Sequence, residues 1–82
     1  MRLLLIEDEA KLGEYLRKGL AEEGYTVDVA TNGIDGLHLA MELDYDLIVL
    51  DGMLPCIDGF AVLAALRQSK PIPVLMLTAR AD

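Results

Sequence analysis

Three short apolar runs in this chain each end on a side chain suited to chemistry. Leu3-Leu4-Leu5-Ile6 runs into Glu7 and Asp8, Leu47-Ile48-Val49-Leu50 into Asp51, and Val74-Leu75-Met76-Leu77 into Thr78. Apolar runs of this length without alternation have no solvent face, so they fit strands covered on both sides of a sheet. The spacing predicts strands over 2–6, 47–50 and 74–77. A further strand is predicted from Tyr25 to Ala30, where Val27 and Val29 share one face and Asp28 points away, the alternation of a strand nearer a sheet edge.

Segments of helical period separate these runs. Leu12, Leu16 and Leu20 recur every fourth residue within 10–23, and Gly24 follows where a C-terminal capping glycine belongs. Gly13 and Gly19 weaken this first helix modestly. Thr31-Asn32-Gly33 marks a turn, after which Ile34, Leu37 and Met41 form the apolar stripe of a helix reaching about Leu43. The stretch from Gly52 to Gly59 reads as a loop; Asp58 is the predicted N-cap of a third helix through about Ser69, with Phe60, Leu63 and Leu66 on its apolar side. Pro71-Ile72-Pro73 ends that helix before the last strand.

Single strands alternating with single helices predict an α/β fold in which right-handed crossovers make every strand parallel. The carboxyl ends of all strands then share one rim, where ligands bind in open sheets of this kind. Glu7, Asp8, Asp51 and Thr78 meet there. Three carboxylates in one crevice repel each other unless a hard cation neutralises them, and oxygen-only donors with open water positions suit Mg²⁺. A carboxylate beside such a cation can act as a nucleophile toward a phosphoryl group, with the Thr78 hydroxyl available to a phosphoryl oxygen.

Blander roles compete for some of these residues. Asp8 or Glu9 alone could be a solvated loop acid, and Thr78 alone a strand-end hydroxyl. Asp58 is assigned the capping role, His38 a place on the surface of the second helix, and Met41, Met53 and Met76 core or loop filling. Cys56 cannot by itself form an intramolecular disulfide or a zinc site. No Gly-rich phosphate loop or Ser/His/Asp set is present. A phosphatase-like enzyme with Asp51 as nucleophile would want a second acid two residues on, where Met53 stands, so no enzyme is expected.

Composition narrows the partners. Eighty-two residues with 54% hydrophobic content allow one domain with one core and exclude disorder. A net charge of −7 disfavours nucleic acid and anionic membranes as direct partners of this segment. No apolar run reaches the ~18 residues of a membrane span, and Glu7-Asp8-Glu9 interrupts the opening run before it could act as a signal peptide, so a cytoplasmic location is expected.

The stretches Leu3 to Glu9, Leu47 to Asp51 with Met53-Leu54-Pro55 and Ile57-Asp58-Gly59, and Pro73 to Arg80 closely resemble the receiver domain of bacterial two-component response regulators. The wording is nearest to winged-helix transcription factors of the OmpR/PhoB type, and the resemblance covers essentially the whole chain. It implies a flavodoxin-like (CheY-like) three-layer α/β/α fold with sheet order 2-1-3-4. It also implies that Asp51 is the phosphoacceptor, taking a phosphoryl group from a sensor histidine kinase to control transcription in a full-length protein. Glu7, Asp8, Asp51 and the backbone carbonyl of Met53 would hold Mg²⁺, and Thr78 would be the switch residue that turns toward the phosphorylated aspartate.

Two departures from the family follow. The family usually has a bulky apolar residue after the phosphoacceptor and often glycine at the place of Cys56, whereas Gly52 and Cys56 stand here. Gly52 loosens the loop at an entropic cost of up to ~1 kcal/mol, which predicts weaker metal binding. The family also continues past Thr78 with a helix-strand-helix portion that carries a conserved lysine contacting the phosphoryl group, followed by a DNA-binding domain; neither has a counterpart in residues 1–82. The reading is therefore a single truncated receiver domain over 1–82, with a homo-oligomer expected through the exposed edge of the fourth strand. The alternative is a phosphorylation-incompetent fragment acting only as an oligomerising α/β core.

Overall fold

A computed structural model describes residues 1–51, 59–69 and 71–77. The elements are β1 (Arg2–Ile6), α1 (Ala10–Glu22), β2 (Thr26–Ala30), α2 (Gly33–Glu42), β3 (Leu47–Asp51), α3 (Gly59–Ser69) and β4 (Val74–Leu77). All three strand pairings are parallel and the order is β2-β1-β3-β4, the expected topology. The predicted N-cap Asp58 lies outside the described residues.

Strand parity divides the core. Leu4, Ile6, Ile48 and Leu50 face α2 and α3, where they pack with Ala40, Val62 and Leu66; Val74 and Met76 of β4 border the same cluster. Leu3, Leu5 and Val49 point to the α1 side and are also buried. Coverage on that side fades toward β4, where Leu75, in register with Val49, is 53% exposed. Leu12 of α1 is 38% exposed, so the predicted Leu12-Leu16-Leu20 stripe is only partly buried; the buried residue of α1 is Gly13.

The expected stripe of α2 is corrected more sharply. Ile34 is 59% exposed and Met41, read as filling, lies on the surface. Gly33, Gly36 and Ala40 face inward instead. At Gly36 the cause is proximity, since a Cβ there would collide with the Ile6 side chain of β1; Leu37 of the expected stripe is half-buried and does pack against the core. Asn32 caps α2, its Oδ1 accepting from the Asp35 N–H at 2.8 Å while its Nδ2 donates to the Asp35 carboxylate at 3.0 Å. His38 is on the surface, 3.0 Å from Glu42 one turn on.

The end of α1 shows how local sequence closes a helix. Gly24 adopts φ 95°, its N–H donates to the Ala21 carbonyl at 3.0 Å, and the Tyr25 N–H reaches back to the Leu20 carbonyl at 3.2 Å. This pair of bonds is the Schellman arrangement, and it turns the chain directly into β2. A side chain at Gly24 would be strained by its left-handed backbone. Gly24→Ala is expected to cost about 1–2 kcal/mol, read as a lower urea midpoint with unchanged slope; an unchanged midpoint would show that the turn tolerates a Cβ.

At the amino ends of the strands the sheet is tied by polar groups. The Arg2 N–H donates to the Asp46 carboxylate and the Asp46 N–H to the Arg2 carbonyl, both at 2.8 Å. Tyr45, 6% exposed, donates its hydroxyl to Asp28 at 2.8 Å, and the Arg2 guanidinium sits 3.2 Å from the same carboxylate and 5.6 Å from the Tyr45 ring centre. Asp28 thus points away from Val27 and Val29, as its alternation predicts, but onto a partner rather than into solvent.

Burial, reinforced by the bond to Asp28, pushes the Tyr45 phenol up to about 12. The neutral phenol therefore stabilises the fold fully below the ordinary tyrosine value near ~10, and this contribution is lost as pH rises through about 12. Its size is on the order of 2 kcal/mol. Urea unfolding of the native chain should weaken over that window by this amount more than unfolding of Tyr45→Phe; parallel pH curves would refute the assignment.

Candidate functional site

The site is built by strand register. Leu3 to Ile6 of β1 pair with Leu47 to Leu50 of β3, so the backbone of Glu7 leaves β1 level with Asp51, the last residue of β3. Asp51 pairs in turn with Leu77 of β4, which places the backbone just before Thr78 on the same rim. Glu7 is held further by its own N–H, which extends the ladder to the Ala30 carbonyl of β2 at 2.9 Å. Three strands thus converge at the predicted rim.

The two acids after β1 differ in environment. Glu7 is buried, 5% exposed, on the α1 side of the sheet, while Asp8 is exposed. A carboxylate taken so far out of water favours a neighbouring cation. Met53, Thr78, Gly52 and Cys56 lie outside the described residues. Among the described residues no three His, Cys, Asp or Glu side chains already converge as a metal cage. The donor chemistry nevertheless fits Mg²⁺: Glu7, Asp8 and Asp51 are hard oxygen donors brought to one end of two adjacent strands, with no competing soft ligand among them.

Two features were not legible as functional from the sequence. Gly13, read there only as weakening α1, lies where a Cβ would come within 3.8 Å of the Glu7 stem. The Arg2, Asp28, Tyr45 and Asp46 cluster joins residues up to 44 positions apart, so no local pattern announces it.

The described residues form a parallel α/β domain in which the backbone of Glu7, Asp8 and Asp51 lies at the carboxyl rim of β1 and β3. The model of the response regulator receiver domain matches residues 3–82, and the chain belongs to that family. It is 56% identical over 80 residues to the transcriptional regulatory protein CusR of Escherichia coli, covering 96% of this chain and 35% of that protein. It is 55% identical over 82 residues to the transcriptional activator protein IrlR of Burkholderia pseudomallei, covering all of this chain and 36% of that one. The chain thus spans about a third of the length of these relatives.

The solved structures agree in fold. Response regulator TrrA of Thermotoga maritima, in complex with Mg²⁺-BeF, superposes with a TM-score of 0.93 at 37% identity, covering 98% of this chain and 70% of that one. TrrA in complex with the histidine kinase ThkA gives a TM-score of 0.91 at 36% identity, covering 99% and 71%.

Proposed function

We propose that this chain is the phosphoacceptor module of a two-component response regulator, with Asp51 taking a phosphoryl group from a phosphohistidine of a sensor histidine kinase. The observation that carries this reading is the register that brings buried Glu7 level with Asp51 across β1 and β3. A carboxylate oxygen of Asp51 attacks phosphorus, the bond from phosphorus to the histidine nitrogen breaks, and an acyl phosphate forms. Glu7, Asp8, Asp51 and the Met53 carbonyl hold Mg²⁺, which when bound offsets the negative charge of the incoming phosphoryl oxygens. The Thr78 hydroxyl turns toward the phosphorylated Asp51 and donates to it, and the added charge biases the surrounding surface between two states.

In this reading the chain has no turnover of its own, works in the cytoplasm, and controls transcription through a larger protein. TrrA supports both the metal, through its Mg²⁺-BeF complex, and the kinase partner, through its ThkA complex. No described helix is long and apolar enough to cross a membrane. Self-association through β4 is a second reading, supported by Leu75, 53% exposed on a strand that pairs on one side only among the described residues. Sedimentation at micromolar concentration checks it, and a monomer would remove it.

The test of the main reading is intact-protein mass after incubation with acetyl phosphate and Mg²⁺. A phosphate adduct is expected that disappears with chelator and in Asp51→Asn. A folded sample that takes up no phosphate would leave the family's fold without its chemistry.

A further inference from the structure

Gly13 occupies an unusual place for a glycine. It lies in the second turn of α1, its N–H donating to the Glu9 carbonyl at 2.9 Å, and it is the buried residue of that helix. Glycine is the poorest helix former apart from proline, so its use inside a helix calls for a reason. A Cβ here would lie 3.5 Å from Val29 Cγ1, 3.8 Å from Glu7 Cγ and 3.9 Å from Glu7 Cβ. Those are ordinary contacts, so alanine would fit. Anything longer must find room past these neighbours, Val29 and the Glu7 stem.

Direction matters as much as distance. Helical Cα–Cβ bonds tilt toward the helix N-terminus, and the favoured rotamers carry Cγ further that way. The N-terminus of α1, at Ala10, is the end next to Glu7 and Asp8. A longer side chain at 13 would grow toward the rim and press on the Glu7 stem, which is already 5% exposed and has its backbone fixed to Ala30. The Glu7 stem and the neighbouring Val29 side chain are the groups that would have to give way.

We propose that Gly13 is a positioning residue for the acidic pocket: the side chain it lacks keeps open the space that lets the Glu7 carboxylate take its metal-holding place. This rests on the metal reading given under Proposed function. Gly19 offers an internal control, being exposed on the same helix with nothing within 4 Å of where its Cβ would stand. The same substitution there changes helix propensity without touching Glu7.

The experiment titrates Mg²⁺ alone into the native chain, Gly13→Ala, Gly13→Ser, Gly13→Leu and Gly19→Leu by calorimetry, with melting curves recorded for each. Mg²⁺ Kd should rise about tenfold in Gly13→Leu, less in Gly13→Ser, and stay within about twofold in Gly13→Ala and Gly19→Leu, the scale seen when a residue supporting a metal ligand is changed. Both alanine and leucine variants can be more helical than the native chain, so affinity and melting temperature should move independently. Equal Kd across the folded variants overturns the proposal; if Gly13→Leu does not fold, Gly13→Ser decides. If the native chain binds no Mg²⁺, the metal reading fails on its own, and the Glu7 carboxyl-carbon resonance then judges Gly13. A shift in the residue-13 variants but not in Gly19→Leu supports the positioning role, and no shift removes it.

Discussion

Gly36→Ala lowers the stability of this chain by about 2 kcal/mol, seen as a fall of roughly 10 °C in melting temperature for a domain of this size. A Cβ at Gly36 would stand 2.5 Å from Ile6 Cδ1, 2.7 Å from Cγ1 and 3.0 Å from Cγ2. A new rotamer cannot clear all three atoms, because Cγ1 and Cγ2 are both bonded to the Cβ and Ile6 is fully buried. Either α2 lifts from β1 or Ile6 is displaced, and both loosen the contacts of Ala40 and Leu4 in the same cluster. Alanine restricts the unfolded chain and favours a helix, which offsets only part of this, by about 0.4–1 kcal/mol. Thermal melting checks the sign: a variant as stable as the native chain would mean that α2 does not seat against Ile6 as described. Gly36→Val should be worse still, since its branch carries further atoms into the same contact.

Leu4→Ala is expected to cost about 3 kcal/mol, whereas Leu75→Ala should cost less than about 0.5 kcal/mol. Both leucines stand inside apolar runs that look alike in the sequence. Leu4 is 0% exposed in a strand flanked by β2 and β3 and packs in the main core, so its truncation leaves a cavity the neighbours can close only in part. Leu75 sits on the outer strand, over the side that α1 does not reach, and is 53% exposed. Against the ~5–15 kcal/mol total typical of native domains, the first change is severe and the second nearly silent. Denaturant unfolding of the two variants side by side separates them. Equal losses would mean that β4 is covered in solution, which would favour self-association through that strand.

The element boundaries were readable because each rests on local chemistry. Gly24 takes the left-handed backbone that ends α1, Asn32 supplies the oxygen that starts α2, and Pro71 and Pro73 stand in the irregular segment just before β4. The parallel order was readable because a strand joined to the next by a helix returns in only one hand. The acids of the candidate site were readable for the same reason, since Glu7 and Asp51 each end an apolar run and parallel strands bring those ends together.

Other features depend on distances that the sequence does not contain. Period alone placed Ile34, Leu37 and Met41 toward the core; Leu37 does pack against it, whereas Ile34 and Met41 lie on the surface and Gly33, Gly36 and Ala40 are the buried positions of α2. Likewise Asp28 looked like a solvent-facing strand acid until Tyr45 and Arg2, far along the chain, closed on it. Propensity, capping and crossover hand act between near neighbours, so the alternation of elements, the parallel sheet and the backbone position of Glu7, Asp8 and Asp51 at its carboxyl rim could be read from residue order alone. Which face of each helix is buried, how deeply Glu7 lies and that position 13 of α1 stands beside its stem emerge only once the layers are packed, because these follow from how closely separate layers approach.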